Sequence, residues 1–310
     1  MGDFFSSSMN GIPVIDFAPF LAGVAEAQQQ VAEQVYQACH EVGFMRVKNL
    51  GIPPSLIEAT FRTSQELFAL PLAVKEQLAW SGAESNVGYV GVGRERLDPA
   101  QPGDVKEAFN LAGVNLRDNP WPPLLEDNRA TLLAFHHACG SAALHLLRAL
   151  ALGLHLPDRD WFVGHHQQGD QTTLRLLHYP PCPAGQIRAG EHSDYGSLTL
   201  LFQDGVGGLE VKNRQGSWIS VTPSPDTVVV NLGDLMQRWT NDHLRSTRHR
   251  VVQPRDPSQN RDRYSIAFFC DPDRQAEIVC LSQGRGSGHP PRYPMVRAGD
   301  YLLSKLQATY

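Results

Sequence analysis

From Thr172 onward the sequence breaks into short runs of period-2 alternation, separated by Gly, Pro, Asn and Asp. Successive residues of a strand face opposite ways, so this period marks strands that bury one face. Seven are expected: Thr172–Tyr179, Ser197–Phe202, Leu209–Lys212, Trp218–Val221, Thr227–Leu232, His249–Val252 and Arg263–Cys270. Short strands with turn formers between them point to a closed antiparallel structure. One short helix, Asp234–Asn241, interrupts the series, and a last helix is expected over Gly299–Tyr310.

The first half reads differently. Ile12–Phe17 is expected as a short buried strand. A helix then carries Val31, Val35, Cys39 and Val42 on one face and ends at Gly43. Phe44–Val47 is a second strand. Pro53 and Pro54 open another helix, where proline at the first turn costs little, and a short one covers Leu72–Leu78. Ser81–Leu125 is an irregular connection with room only for short strands. Glu126–Leu156 is the longest helical stretch, with an inward stripe at Leu133, His137, Leu144, Leu147 and Ala151 and a bend or break expected at Gly140. The expected organisation is thus a mixed α/β region over residues 1–125 and a helix-supported β core over residues 126–310, together one compact unit.

Charge and apolar content exclude several classes. The formal net charge of −5 argues against a nucleic-acid partner. The longest apolar run, Ala142–Leu156, is broken by His145, Arg148 and His155, so no membrane span is expected. The first basic residue is Arg46, which speaks against a targeting peptide, and the bare myristoylation pattern of Met1–Ser6 has no supporting basic patch. The five cysteines are scattered with no C-x-x-C pair, which suits a reducing cytoplasm.

The chemistry concentrates around His192-Ser193-Asp194. On an extended chain, residues i and i+2 share a face, so one imidazole and one carboxylate can aim at a single point. His249 opens another strand 55 positions after Asp194. Two histidines and one carboxylate make a facial triad that leaves three sites of an octahedral Fe(II) open. Arg263 and Ser265, also i and i+2, follow His249 by 14 and 16 residues. A guanidinium and a hydroxyl on one face suit the far carboxylate of a dicarboxylic ligand, and Tyr179 can supply a third donor.

Taken in order, these pieces resemble the iron(II)- and 2-oxoglutarate-dependent oxygenases related to isopenicillin N synthase, with plant flavonoid and gibberellin oxidases and ethylene-forming enzymes as relatives. The matching segments run from Ile12-Pro13-Val14-Ile15-Asp16, Gly43-Phe44, Asn49–Pro53 and Phe68–Pro71, through Asp104–Phe109 and Tyr179–Pro183, to His192-Ser193-Asp194, Asn231–Asp234, His249-Arg250-Val251 and Arg263-Tyr264-Ser265. The resemblance implies a mainly β fold with flanking helices, a distorted double-stranded β-helix or jelly roll. It implies Fe(II) on His192, Asp194 and His249, with 2-oxoglutarate as cosubstrate, O2 as oxidant and ascorbate as an accessory reductant. It also implies hydroxylation, desaturation or ring closure on a small molecule, with release of succinate and CO2. Two positions depart from the family pattern. Leu50 replaces a histidine, and Leu177 replaces an asparagine near the iron.

Other positions stay open between roles. Tyr195 lies near the cosubstrate in ethylene-forming relatives, or simply packs. Arg175 shares strand parity with Tyr179 and should point inward, toward a substrate carboxylate, the cosubstrate or a structural Asp or Glu. Phe269 shares parity with Arg263 and is either an aromatic wall for substrate or core. The remaining histidines, including the adjacent His165 and His166, read as structural. Two rivals are a 2-oxoglutarate-independent iron oxidase of the isopenicillin N synthase type and a non-catalytic ligand-binding jelly roll. A monomer acting on a small-molecule substrate is expected.

Overall fold

The computed structural model describes residues 11–97, 103–183, 186–254, 256, 258, 260–286 and 288–309. The elements run β1 (Val14–Asp16), α1 (Ala18–Leu21), α2 (Ala25–Glu41), β2 (Phe44–Lys48), α3 (Pro54–Ala69), α4 (Leu72–Glu76), β3 (Gly88–Val90), β4 (Glu107–Ala112) and α5 (Arg129–Gly153). Then come β5 (Thr173–Tyr179), β6 (Ile187–His192), β7 (Leu198–Gln203), β8 (Leu209–Lys212), β9 (Trp218–Ser220), β10 (Val228–Leu232) and α6 (Asp234–Trp239). The chain closes with β11 (His249–Val252), β12 (Arg263–Cys270), β13 (Glu277–Ile278), β14 (Val296–Arg297) and α7 (Ala298–Thr309). Met1–Ser6 lies outside the described residues.

The strands form two facing sheets, not a closed barrel. The large one has the order β1-β2-β10-β7-β12-β5-β4-β3, the small one β6-β11-β8-β9, and β13 pairs only with β14. Except for β1 with β2, neighbours are antiparallel. The closed arrangement expected from the strand count gives way to a sandwich with open edges, the architecture of a jelly roll. Leu177, Leu209, Val211, Val229, Val251 and Ala267 pack in the space between the sheets. β10 is buried at every position because β2 and β7 flank it.

Three local expectations need correction. Ser81–Leu125 contains β4, six buried residues that pair with β5, so the region extends the large sheet. Ile12–Phe17 shortens to β1, an edge strand in which only Ile15 is buried. In α5 the expected stripe holds at Leu147 and Ala151, both buried, but not over the first half of the helix. The buried face carries Leu132, Phe135, Cys139, Ala142 and Leu146, whereas His137 is exposed. α5 packs against α2 and α3 as well as β7 and β12, so apolar residues surround much of its girth and blur the stripe. It also runs through Gly140 without a break.

By length and hydropathy Pro123–Gly153 is apolar enough to cross a membrane. In the fold its apolar residues are packed between helices and sheet. At Gly153 α5 lies directly against α2. A Cβ there would lie 2.5 Å from the Ala32 carbonyl oxygen and 2.7 Å from Tyr36 Cβ. Gly153→Ala is expected to destabilise the fold by about 1–3 kcal/mol through overpacking, read as a lower Tm with activity retained at low temperature.

Strands from both expected halves share the large sheet: β2 pairs with β10, and β4 with β5.

Candidate active site

His192 ends β6 and His249 opens β11, and the two are cross-strand partners in the small sheet. Asp194 lies two residues beyond β6, on the segment that turns toward β7. Ligand atoms of the three lie within 4.8 Å of one another. The Nε2 atoms of His192 and His249 stand 3.9 and 3.5 Å from Asp194 Oδ1. Each imidazole is oriented from behind, with His192 Nδ1 donating to the Gly190 carbonyl at 2.7 Å and His249 Nδ1 to the Thr247 carbonyl at 3.1 Å. Asp194 Oδ2 accepts from Thr199 Oγ1 at 2.5 Å and Asn231 Nδ2 at 2.6 Å, which turns Oδ1 toward the histidines. Such backing fixes ring orientation and carboxylate rotamer.

The protonation states suit a metal. Burial, and then the neighbouring His249, hold His192 down to about 3, so its imidazole is neutral. Burial alone would raise Asp194. His249 and His192, with the two hydrogen bonds, outweigh it and keep the carboxylate ionised. Two neutral imidazoles and one carboxylate on one side of an ion leave its other face open. That is the donor set of non-haem Fe(II) sites, and the residues fit the metal.

The triad opens on a cavity of about 500 Å³ between the sheets. On its opposite wall Arg263 and Ser265 are fully buried on β12. The Arg263 guanidinium is held by the Gly207 carbonyl at 2.7 Å and Gln203 Oε1 at 3.0 Å, and stacks over the Tyr179 ring at 4.6 Å. Its NH1 reaches Ser265 Oγ at 3.4 Å. Among the described residues no carboxylate lies within ion-pair distance of Arg263. A buried guanidinium without a protein anion fits the far carboxylate of a dicarboxylic cosubstrate. Leu177, opposite Ser265 on β5, presents an apolar surface there.

The expected inward positions of β12, Arg263, Ser265 and Phe269, line the cavity, and Ala267 and Asp271 continue the same row. Arg175 and Tyr179 of β5 line it as well. Arg175 has a protein partner, pairing with the buried Glu95. Lys106 lies 3.3 Å from Glu95 and 2.6 Å from Asp104, so two cations and two anions form one buried cluster beside the metal site. Tyr195 also lines the cavity, and its hydroxyl is bonded to Thr309 on α7 at 2.6 Å, so it offers mainly its ring. Residues 83–87, 95 and 97 and Leu302, Leu303 and Leu306 of α7 line the cavity as well.

His166 is structural, bonded to Ser197 Oγ at 2.9 Å and the Phe162 carbonyl at 2.7 Å, and burial keeps it neutral down to about 4. His165 and His166 close a 3-10 turn, not a strand.

Sequence reasoning missed Thr199, Glu95 and Asp271. Thr199 and Asp271 were reachable by parity, from the β7 alternation and from Phe269. Asn231 was quoted within a motif but given no role. Asp104 was likewise quoted, and its Oδ1 accepts from the Gly190 N–H at 2.9 Å, tying the metal strand to the N-terminal region. Nothing in the Gly91–Arg96 run distinguishes Glu95.

Arg175→Met leaves Glu95 with Lys106 as its nearer cation. The expected stability loss is about 1–3 kcal/mol, below that of a fully orphaned buried charge, and is measured as a fall in Tm. An unchanged Tm would remove Glu95 as the functional partner of Arg175.

Comparison with known proteins agrees with this geometry. Residues 171–272 match the 2OG-Fe(II) oxygenase superfamily, and residues 12–130 match the N-terminal region of non-haem dioxygenases in morphine synthesis. A proline hydroxylase of Petromyces alliaceus is 35% identical over 96% of this chain and 98% of its own. A 2-oxoglutarate-Fe(II) type oxidoreductase of Metarhizium majus is 33% identical over 98% of each. A full-length Neurospora crassa protein, solved in complex with alpha-KG and thymine, superimposes with a TM-score of 0.88 at 37% identity, over 96% of this chain and 97% of that one. With triad, cavity and relatives in agreement over nearly the full length, the chain belongs to the 2OG-Fe(II) oxygenase superfamily, enzymes that oxidise small molecules with Fe(II), 2-oxoglutarate and O2.

Proposed function

We propose that this dioxygenase oxidises a small, uncharged, planar ring with amide-like edges, for which a pyrimidine base is the model. The observation that carries the reading is the charge balance beside Phe269. Arg175 and Lys106 are already matched by Glu95 and Asp104. A substrate carboxylate would therefore have to compete with a buried protein anion for Arg175. This moves the reading away from a small organic acid and toward a neutral ring. A structural neighbour at 37% identity holds thymine beside alpha-KG, and another structure of it holds 5-formyluracil.

Bound Fe(II), 2-oxoglutarate and O2 supply the oxidising power. In the proposed division of work, His192, Asp194 and His249 hold the metal by one face. Arg263 and Ser265 grip the far carboxylate of the cosubstrate, with the Tyr179 ring beneath the guanidinium. Leu177, Leu201, Leu209 and Val251 line the cavity and exclude water. Phe269 and Tyr195 offer ring faces that orient a flat substrate. Support for 2-oxoglutarate over the cosubstrate-free iron oxidase comes from the unmatched Arg263 and from relatives named for that cosubstrate.

The absence of a nucleic-acid partner belongs to the same reading, supported by the net charge of −5, and the expected state is a monomer. So does a reducing cytoplasm, supported by five cysteines that form no disulfide. The test is substrate-stimulated succinate release with pyrimidine bases, with organic acids as the contrasting panel. Stimulation by acids alone would overturn the neutral-ring reading.

A further inference from the structure

We propose that Asp271 selects the substrate, its carboxyl group taking the paired C=O and N–H of a neutral amide-like ring edge through two parallel hydrogen bonds. The inference rests on the neutral-ring reading above and adds the residue that would enforce it.

Asp271 follows β12 and continues the inward row one step beyond Phe269, so it stands next to the proposed aromatic wall. The residue is half-buried and lines the cavity. Among the described residues it has neither a hydrogen-bond partner nor an ion pair, although the nearby Asp273 caps three backbone N–H groups. A half-buried carboxyl group that no protein group satisfies is free to bond a ligand in the cavity.

The space it occupies is made by a glycine. A Cβ on Gly196 would fall 1.5 Å from Asp271 Oδ1. Gly196 is in turn backed by Gly233, whose own Cβ would meet the Gly196 carbonyl oxygen at 2.4 Å. The turn after Asp194 is therefore pressed between the start of α6 and the Asp271 carboxyl group, which sets that group close behind the metal ligands.

Two of the aspartates lining this cavity stand under opposite conditions. Asp194 has donors from Thr199 and Asn231 and stays ionised. Asp271 has none, and burial, more than the charge of Asp194 that bound Fe(II) would offset, raises it to about 8, which favours the protonated form near neutral pH. Environments that push two carboxyls apart assign them different tasks. A protonated carboxyl group donates through O–H and accepts through C=O. That is the complement of a CO–NH edge. A substrate carboxylate would meet no such match, and an amine would instead require the ionised form.

The test compares Asp271→Asn with Asp271→Ala. A carboxamide keeps one donor and one acceptor at the same size, and alanine keeps neither. KM and kcat are measured for the best pyrimidine base in the succinate assay, alongside 2-oxoglutarate affinity and Tm. We expect Asp271→Ala to raise KM by about tenfold or more with cosubstrate affinity intact, and Asp271→Asn to restore most of the loss. An unchanged KM in Asp271→Ala overturns the proposal. So does an Asp271→Asn variant as impaired as Asp271→Ala, because that pattern demands a fixed negative charge. If pyrimidines fail but another compound stimulates the wild type, the neutral-ring reading falls and the two variants judge Asp271 on that compound by the same criteria. A wild type that responds to no pyrimidine, acid or amine in the panel overturns both.

Discussion

Alanine in place of His192, Asp194 or His249 abolishes turnover and sharply weakens Fe(II) binding, while the chain still folds. Each residue supplies one of three donors on a single face of the ion, and no other histidine or carboxylate among the described residues joins them in the same cluster. The fold should survive because β6 and β11 remain paired through Val251 and Val252. Asp194→Ala carries an extra stability loss of about 1–3 kcal/mol, since Thr199 and Asn231 lose their common acceptor. Fe(II) titration under anaerobic conditions, with circular dichroism as the folding control, checks all three. Full activity in any one variant would remove that residue from the triad.

Arg263→Ala comes next in size. It deletes a fully buried guanidinium that no protein carboxylate among the described residues neutralises. Losing one member of a buried charged hydrogen-bonding pair costs about 2–5 kcal/mol, so apparent 2-oxoglutarate affinity falls by roughly tenfold or more. Arg263→Lys recovers only part of this. An ammonium cannot at once span Gly207, Gln203 and Ser265 and present a planar fork to a carboxylate. The readout is 2-oxoglutarate titration of the anaerobic Fe(II) protein. Unchanged affinity in Arg263→Ala would place the cosubstrate elsewhere.

What could be read from the sequence followed from how strongly each element declares its period. β8, β11 and β12 have the bounds expected for them, β8 from its alternation and β11 and β12 from the turn formers that flank them. The same parity put Arg175 and Phe269 on the cavity wall. β6 was absent from the expected strands, although it carries the first metal ligand. Its sequence, Ile-Arg-Ala-Gly-Glu-His, holds a charged residue buried in full at Arg188 and a glycine at Gly190, and its pairing with β11 is irregular. Alternation is therefore erased where function bends the strand. Glu95 was illegible for another reason: its partner Arg175 lies 80 residues away, and nothing local marks a loop glutamate that the fold will bury.

The bond from Gly190 N–H to Asp104 joins positions 86 residues apart in the chain. During synthesis Asp104 leaves the ribosome first and must wait for the strand it will anchor. The iron pocket is thus completed only by late, long-range closure, and loop closure over that distance makes such steps slow. A shortened version beginning at residue 126 would retain every iron and cosubstrate ligand named above. It would lack Asp104, the Glu95–Lys106 charges and the β4 edge, so the strand of the first histidine would keep its pairing with β11 but lose its anchor to the N-terminal region. Possession of the ligands and possession of a working centre are, in this protein, separable properties.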